Sequence, residues 1–462
     1  MEHFEIVTSG IDRRNYMIQK IKNAKKYIYI CSWYIDLYCI CDNNKTLYDI
    51  LINKCNQGVK VYILLSVISP VNVCDKKSVY YNKTHNNLHI KVLDFESNSV
   101  VNKVVFNSLN SVSCNYIPYT DCCNREFHQR YFLVDDIHAM ISGCDITDET
   151  YNCLKRGKTN KKGYYWIEYG IIFRPNTEYI NYCKKNFELD GKSEINSKYF
   201  IGNFHKINTD YDKLISLIRN SKESIFAENQ YIYSHNNTYN NIFLEICNRI
   251  IKSVKQKEKF RFILITNDKY IDACSNKSDK LVCNINTNIF KPKLYKSLTF
   301  LYTYLLKYIT LDEINKIVHI YFGNKKTFIH SKNWIFDHKT MIIGTSNLWD
   351  RSYIPNKDLD MSIVLKGNKV KESEDEIINL YSNKEGNDKT NILKLNSSKL
   401  LEKTNYKHIV EYNKRDSKST SIKILLISAL SIKLLDTLPL KINLIILSII
   451  FIVIYYFKQG IM

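Results

Sequence analysis

Phe328-Ile-His-Ser-Lys-Asn-Trp-Ile-Phe-Asp337, continued by Gly344-Thr-Ser-Asn347, Asp350-Arg-Ser352 and Lys357-Asp-Leu-Asp360, carries the densest chemistry in the chain. It sets an imidazole, an ammonium, several carboxylates and an amide between flanks that read as buried strands. Apolar and β-branched residues dominate Ile329 to Phe336 and Thr340 to Ile343. The spacing therefore predicts His330 and Lys332 two apart on one face of a strand, where both reach one cluster of phosphate oxygens.

The string His330-x-Lys332-x4-Asp337 has an earlier counterpart in His128-Gln-Arg130 with Asp135, and both run into a tight turn, Ser142-Gly-Cys-Asp145 and Gly344-Thr-Ser-Asn347. A third string, His89-Ile-Lys91 with Glu96, fits the loose spacing, but no small-residue turn and no amide follow it, so it reads as an ordinary strand. The duplication is wider than the strings. Leu214 to Ile232 can be laid over Met17 to Ile35 at a constant offset of 197, matching Asn23 with Asn220, Lys25 with Lys222 and Ile28 with Ile225. Each copy continues through a helix (Thr46 to Cys55, Tyr239 to Val254) and an apolar strand (Val59 to Leu65, Phe260 to Ile265). This alternation predicts an α/β fold of two duplicated lobes, each a mixed sheet flanked by helices, over 1–200 and 201–385. A polar linker over 386–421 and an apolar segment over 422–462 complete the expected organisation.

With 462 residues and 45% hydrophobic content the chain has ample material for cores. The net charge of +20 calls for an anionic partner, which nucleic acid, an acidic membrane surface or a phosphate-bearing substrate would each satisfy. Lys, Asn, Ile and Tyr are over-used, as an AT-rich genome would also produce, so charge does not choose among these. Fourteen cysteines without regular spacing, behind a polar, acidic Met1 to Gly10, predict reduced thiols in a cytosolic compartment, and no CxxC pair points to a metal. Near the C-terminus Ile422 to Leu435 is apolar, and Ile442 to Phe457 is interrupted only by Asn443 and Ser448, which predicts a membrane anchor with the catalytic lobes facing the cytoplasm. The aromatic run Leu301 to Tyr308 reads as part of a surface insertion, and Cys122-Cys123 as a buried pair rather than an acylation site.

Two His-x-basic strings suffice for phosphodiester cleavage without a metal or other cofactor. One neutral imidazole attacks phosphorus, and the other, protonated, delivers a proton to the leaving alcohol before activating water. Arg130 and Lys332, with the donors Ser142, Thr345 and Asn347, are expected to neutralise the oxyanions. A carboxylate must sit behind each imidazole to fix its tautomer, and Glu168 and Asp360, which precede corresponding strands, are the candidates.

These residues resemble the phospholipase D superfamily, whose mark is H-x-K-x4-D in each of two lobes, over roughly residues 10 to 385. The likeness is nearer to the lipid-cleaving members in Ser32-Trp-Tyr34, Gly58-Val-Lys-Val-Tyr-Ile-Leu-Leu65, Gly143-Cys-Asp145, Glu228-Asn-Gln-Tyr231 and Gly344-Thr-Ser-Asn347. Poxviruses carry members too, and the composition suits such an origin. The resemblance implies a site at the lobe interface, a phospholipid membrane as partner, phosphatidylcholine-like lipids hydrolysed to phosphatidic acid, and usually the N-terminal histidine, His128, as nucleophile. A nuclease acting on DNA or RNA, or a catalytically impaired membrane-remodelling relative, are the competing readings. Arg130 in place of Lys and Ser142 in place of Gly depart from the pattern, and Arg130 puts full activity in doubt.

Overall fold

The computed structural model describes residues 3–403 apart from single positions (34, 36, 38, 43, 196, 205, 231) and the segments 67–84, 95–98, 102–125, 147–164, 234–240, 268–290, 324–326, 354–357 and 383–391. Cys122-Cys123 and the apolar stretch after residue 421 lie outside the described residues. Met1–Leu400 forms one compact unit and holds everything described below.

Two mixed eight-stranded sheets form the frame. The first takes, in chain order, Phe4–Val7 (β1), Tyr27–Ser32 (β2), Lys60–Ser66 (β3), Leu88–Asp94 (β4), Ser99–Val101 (β5), Tyr131–Val134 (β6), His138–Ser142 (β7) and Gly170–Phe173 (β8), arranged β1-β8-β7-β6-β2-β3-β4-β5. The second takes Phe200–Ile201 (β9), Ser224–Asn229 (β10), Arg261–Thr266 (β11), Val318–Gly323 (β12), Lys332–Phe336 (β13), Thr340–Gly344 (β14), Ser362–Lys366 (β15) and Ile392–Lys394 (β16), arranged β9-β15-β14-β13-β10-β11-β12-β16. The two orders coincide strand for strand except at one edge, where β5 follows β4 directly and β16 arrives from the far end of the chain.

The sequence pattern explains both layers. Parallel neighbours β2–β3 and β10–β11 need crossovers, and the helices Leu47–Asn56 and Asn241–Lys255 supply them. Thr46 and Asp49 close a capping box at the first, and Gly58, at φ +86°, follows its C-terminus in the left-handed conformation that glycine favours. Along β2, Ile28 and Ile30 face the helical layer with Met17 and Ile21, while Tyr29 and Cys31 enter a second core shared with Phe226, Ile335 and Met341 of the other sheet. Burial on both faces explains why these strands read as continuous apolar runs. His89 is a β4 residue stacked on Tyr62, with ring centroids 5.0 Å apart, as its lack of a following turn suggests.

The hairpins β6–β7 and β13–β14 turn on residues in the left-handed region, Asp135 and Asp136 in one (φ 51° and 58°), Asp337 and His338 in the other (φ 52° and 59°). From there each Asp reaches the start of the neighbouring strand. The Asp135 carboxylate accepts the N–H groups of Lys25, Lys26 and Tyr27, and the Asp337 carboxylate those of Lys222, Glu223 and Ser224. The acidic member of each string thus lies at the far end of the strand that follows its histidine, and ties a hairpin to a helix–strand corner.

Two expectations are corrected. The strand expected over Ile329 to Phe336 is broken at His330 and Ser331, because Thr327–Ile329 pairs with the first half of the chain and Lys332–Phe336 with its own sheet. The membrane-associated localisation, with its transmembrane helix, is not upheld: among the described residues no helix is long and apolar enough to cross a membrane. Asn241–Lys255 and Lys291–Leu305, at 15 residues each, reach about 22 Å against the ~30 Å of a hydrocarbon core.

Removing Asp337 as Asp337→Ala strips a carboxylate from three backbone donors, so the unfolding free energy in urea should fall by about 2 to 4 kcal/mol. Turnover per folded molecule should stay within about threefold, because no reacting group is touched. A loss of turnover at unchanged stability would show that this carboxylate works in the site instead.

Candidate active site

Two short parallel pairings join the halves of the chain. Glu126–Phe127 pairs with Asp358–Leu359, and Tyr165–Ile167 with Thr327–Ile329. In-register pairing of Phe127 with Leu359 and of Ile167 with Ile329 sets the next residues side by side, so His128 meets Asp360 and His330 meets Glu168. His128 Nδ1 lies 2.7 Å from Asp360 Oδ1, and His330 Nδ1 lies 2.5 Å from Glu168 Oε2. The main chain locks each register, with His128 N–H donating to Leu359 O and the His330 and Ser331 N–H groups both donating to Ile167 O. Each imidazole is therefore oriented by a carboxylate from the other half of the chain.

The carboxylates are fitted by complementary sizes. Fifteen residues after His128 stands Gly143, and a Cβ there would come 2.6 Å from Glu168 Oε1. Fifteen residues after His330 stands Thr345, whose Oγ1 donates to Asp360 Oδ1 at 2.7 Å. The longer acid packs on bare backbone and the shorter one on a hydroxyl. Thr345 is thereby an anchor for Asp360, while Ser142 Oγ accepts from the Cys144 N–H at 3.2 Å. Asn347 is buried, with its Oδ1 unpaired among the described residues.

The cations hold equivalent places. Lys332 Nζ donates to His330 O and to Gln230 Oε1 (2.7 Å) and lies 3.2 Å from His330 Nδ1. Arg130 donates through Nη1 to His128 O (2.8 Å) and forks onto Asp145 through Nε and Nη2 (2.8 and 3.2 Å). Asp145 occupies the turn position that Asn347 fills in the second half, so the bulkier guanidinium comes with an anion where the ammonium side has a neutral amide. Gln230 had no assigned role in the sequence reading, although it lies within the quoted Glu228 to Tyr231 stretch. Behind the second string, Glu228 accepts from the hydroxyls of Tyr169, Tyr381 and Ser331. Behind the first, Gln129 Oε1 accepts from Tyr182 and Asn186. These buried polar contacts fix the residue between histidine and cation in both strings.

Burial dominates the electrostatics. Desolvation pushes Glu168 up to about 7, against the pull of Lys332 and Arg13, and Asp360 up to about 6, against hydrogen bonds from Ser352 and Thr345. Desolvation also holds both imidazoles well below their ordinary value, reinforced for each by Arg130 and Lys332. Lys332 falls to about 8 for the same reason. The resting site thus favours neutral imidazoles whose Nδ1–H groups face carboxylates, which makes Nε2 the reactive ring nitrogen. Cys144, Glu168 and His330 bring donor atoms within 4.8 Å of one another, a set of the kind that binds zinc. Lys332, Arg130 and Arg13 all act on His330, however, and burial raises the Cys144 thiol to about 12, so this environment disfavours a dication.

A family model described as cardiolipin synthase, PLD-like domain, matches residues 17–155. Phospholipase D A of Dictyostelium discoideum is 21% identical over 413 residues, covering 75% of this chain and 32% of its own length. These likenesses support the phospholipase D superfamily. Among other superfamily relatives, mouse phospholipase D1 is 24% identical over 174 residues, 33% of this chain and 16% of that one. The chain thus spans a third or less of the length of these curated relatives. The solved phosphatidylserine synthase of Haemophilus influenzae superposes with a TM-score of 0.55 at 12% identity, covering 91% of this chain and 94% of that one, a likeness of fold.

In Gly143→Ala the new methyl group displaces the Glu168 carboxylate from His330. The expected loss is about 10²-fold in kcat with the fold retained, and Thr345→Ser should keep activity because the hydroxyl remains. Steady-state kinetics on both variants checks the pairing of acid length with its support.

Proposed function

We propose that the chain is a phosphodiesterase of the phospholipase D type, hydrolysing a glycerophospholipid to phosphatidic acid and a free head group through a phosphohistidine. The observation that carries this reading is the pair of crossed imidazole–carboxylate contacts with Arg130 and Lys332 alongside. A bound diester brings the negative charge that the buried cationic surroundings lack, and that charge allows one imidazole to take up a proton while the other stays neutral. The neutral Nε2 attacks phosphorus, the phosphorus–oxygen bond to the head group breaks, and the imidazolium gives its proton to the leaving oxygen. That imidazole, now neutral, deprotonates water, whose oxygen displaces the first histidine and regenerates it. Arg130, Lys332 and Asn347 stabilise the equatorial oxygens. Arg130 keeps its charge in this role: burial works against it, and the Asp145 fork outweighs burial and holds the guanidinium above its ordinary value.

The lipid side of the reading is supported by likeness to proteins named phospholipase D. Likeness in fold to a phosphatidylserine synthase makes transfer to another alcohol the variation to measure beside hydrolysis. Phosphatidylcholine and a DNA oligonucleotide, each labelled at phosphorus, are offered to wild type, His128→Ala and His330→Ala. Label trapped from the lipid by wild type supports the proposal; label from the oligonucleotide alone makes the chain a nuclease, and label from neither leaves a non-catalytic relative. Arg130→Lys should retain activity within about tenfold, and Arg130→Met should lose about 10²-fold or more.

A further inference from the structure

The two half-sites are near copies, yet one histidine must attack while the other carries a proton, so something has to make them unequal. The inequality lies one layer behind the carboxylates. At the duplication offset of 197, Arg13 corresponds to Asp210. Each sits on the helix that precedes the central strand of its sheet, Gly10–Asn23 or Thr209–Asn220, and each is about 2% exposed. Each packs against the residue two positions beyond its half's carboxylate. Arg13 Cδ lies 2.8 Å from where a Cβ on Gly170 would stand, so the glycine makes its room. Asp210 Oδ2 accepts from Ser362 Oγ at 3.4 Å and from Ser346 Oγ. Equivalent places thus hold a buried cation behind Glu168 and a buried acid behind Asp360. Arg13 Nη1 is buried with no hydrogen-bond partner among the described residues, and the Arg13 charge acts on Glu168.

We propose that Arg13 and Asp210 are positioning residues of opposite charge that divide the labour between the histidines, keeping His330 as the neutral nucleophile and His128 as the acid. The surroundings agree in sign. His330 meets Glu168 and Cys144, and it feels Lys332, Arg130, His128 and Arg13, each of which opposes its protonation. His128 also feels Arg130 and Lys332, but Asp360 bonds to it directly and Asp358 and Asp145 favour its proton. Asp358 is itself paired with Arg351, at 2.6 Å. Behind Asp360 stands Asp210, which burial and the neighbouring Asp360 carboxylate hold up at about 7 against hydrogen bonds from Ser346 and Ser362, and which also faces Tyr353, so its negative charge is added to the His128 side on the alkaline side. In the forward step His330 Nε2 bonds to phosphorus, the bond to the leaving oxygen breaks, and the His128 proton goes to that oxygen. In the second step His128 takes a proton from water, the water oxygen bonds to phosphorus, and the nitrogen–phosphorus bond breaks, which frees His330. This reverses the assignment that the family resemblance implies.

The inference rests on the phosphodiesterase reading, and one experiment separates their failures. The full chain is mixed with bis(p-nitrophenyl) phosphate, quenched in alkali within the first turnover, and its peptides are mapped by mass spectrometry. The expected adduct is on the peptide containing His330, and it persists in His128→Ala because p-nitrophenolate leaves without a proton. An adduct on His128 overturns the inference and spares the phosphodiesterase reading, whereas no adduct from this diester or from labelled phosphatidylcholine overturns both. On short-chain phosphatidylcholine micelles, Arg13→Gln should move the acid limb of kcat/KM up by about one pH unit, since losing the cation eases protonation of His330, and Arg13→Lys should restore it. Asp210→Asn should move the alkaline limb down by a similar amount. Activity lost evenly at every pH, with unmoved limbs, assigns both residues to packing alone and overturns the proposal.

Discussion

The register of two short parallel pairings is the constraint on which the rest depends. Phe127 opposite Leu359 and Ile167 opposite Ile329 deliver each histidine to the carboxylate of the other half. Side chains alternate along a strand, so a slip of one residue in either pairing would turn a carboxylate away from its imidazole. The apolar partners of these pairings are buried in the core shared by both sheets, so packing and chemistry fix the same register. Neither half holds a complete site: each contributes a histidine, a cation and the acid for its opposite number. The pairings that join the two halves are the ones that assemble the candidate site.

Duplication supplies two like halves, and small substitutions at matched positions give them unequal surroundings. Glu168 against Gly143 and Asp360 against Thr345 keep the contact with each imidazole while changing its support. Arg130 with Asp145, against Lys332 with Gln230, keeps one positive charge per half while changing its counter-group. The departure from lysine at position 130 is thereby accommodated within its own half, the fork geometry of the guanidinium being matched by a carboxylate rather than left to meet the substrate with all its donors.

Much of this was legible in the sequence because strand periodicity, the duplicated helix–strand unit and the paired strings are local patterns. The helices and parallel strands around Ile28, Val61, Ile225 and Phe262 fall where apolar runs and the stop at Gly58 put them. What escaped is set by partners distant in the chain. Nothing local to Asp135 or Asp337 reveals that a positive φ turns the carboxylate onto backbone donors more than a hundred residues away. Nothing local to Asp360 says which histidine it will face. The break at His330 escaped for the same reason, since two adjacent strand segments pair with different sheets. Arg13 and Asp210 lie just outside the stretch in which the two halves align, and only burial makes such a pair matter.

The edge strands carry a consequence of another kind. In the first sheet the chain covers the β4 edge at once with β5, whereas in the second the β12 edge waits for Ile392–Lys394, beyond the 385 boundary that the duplication suggests. During synthesis the second sheet therefore emerges with Tyr321 to Gly323 uncovered until some seventy further residues have been made. A chain shortened between the expected lobe end and Ile392 would keep every catalytic group yet display an unpaired edge, a template for sticking to its own copies. Ile392–Lys394, within the stretch expected as linker, act as a closing seam, and the compact unit runs on to Leu400.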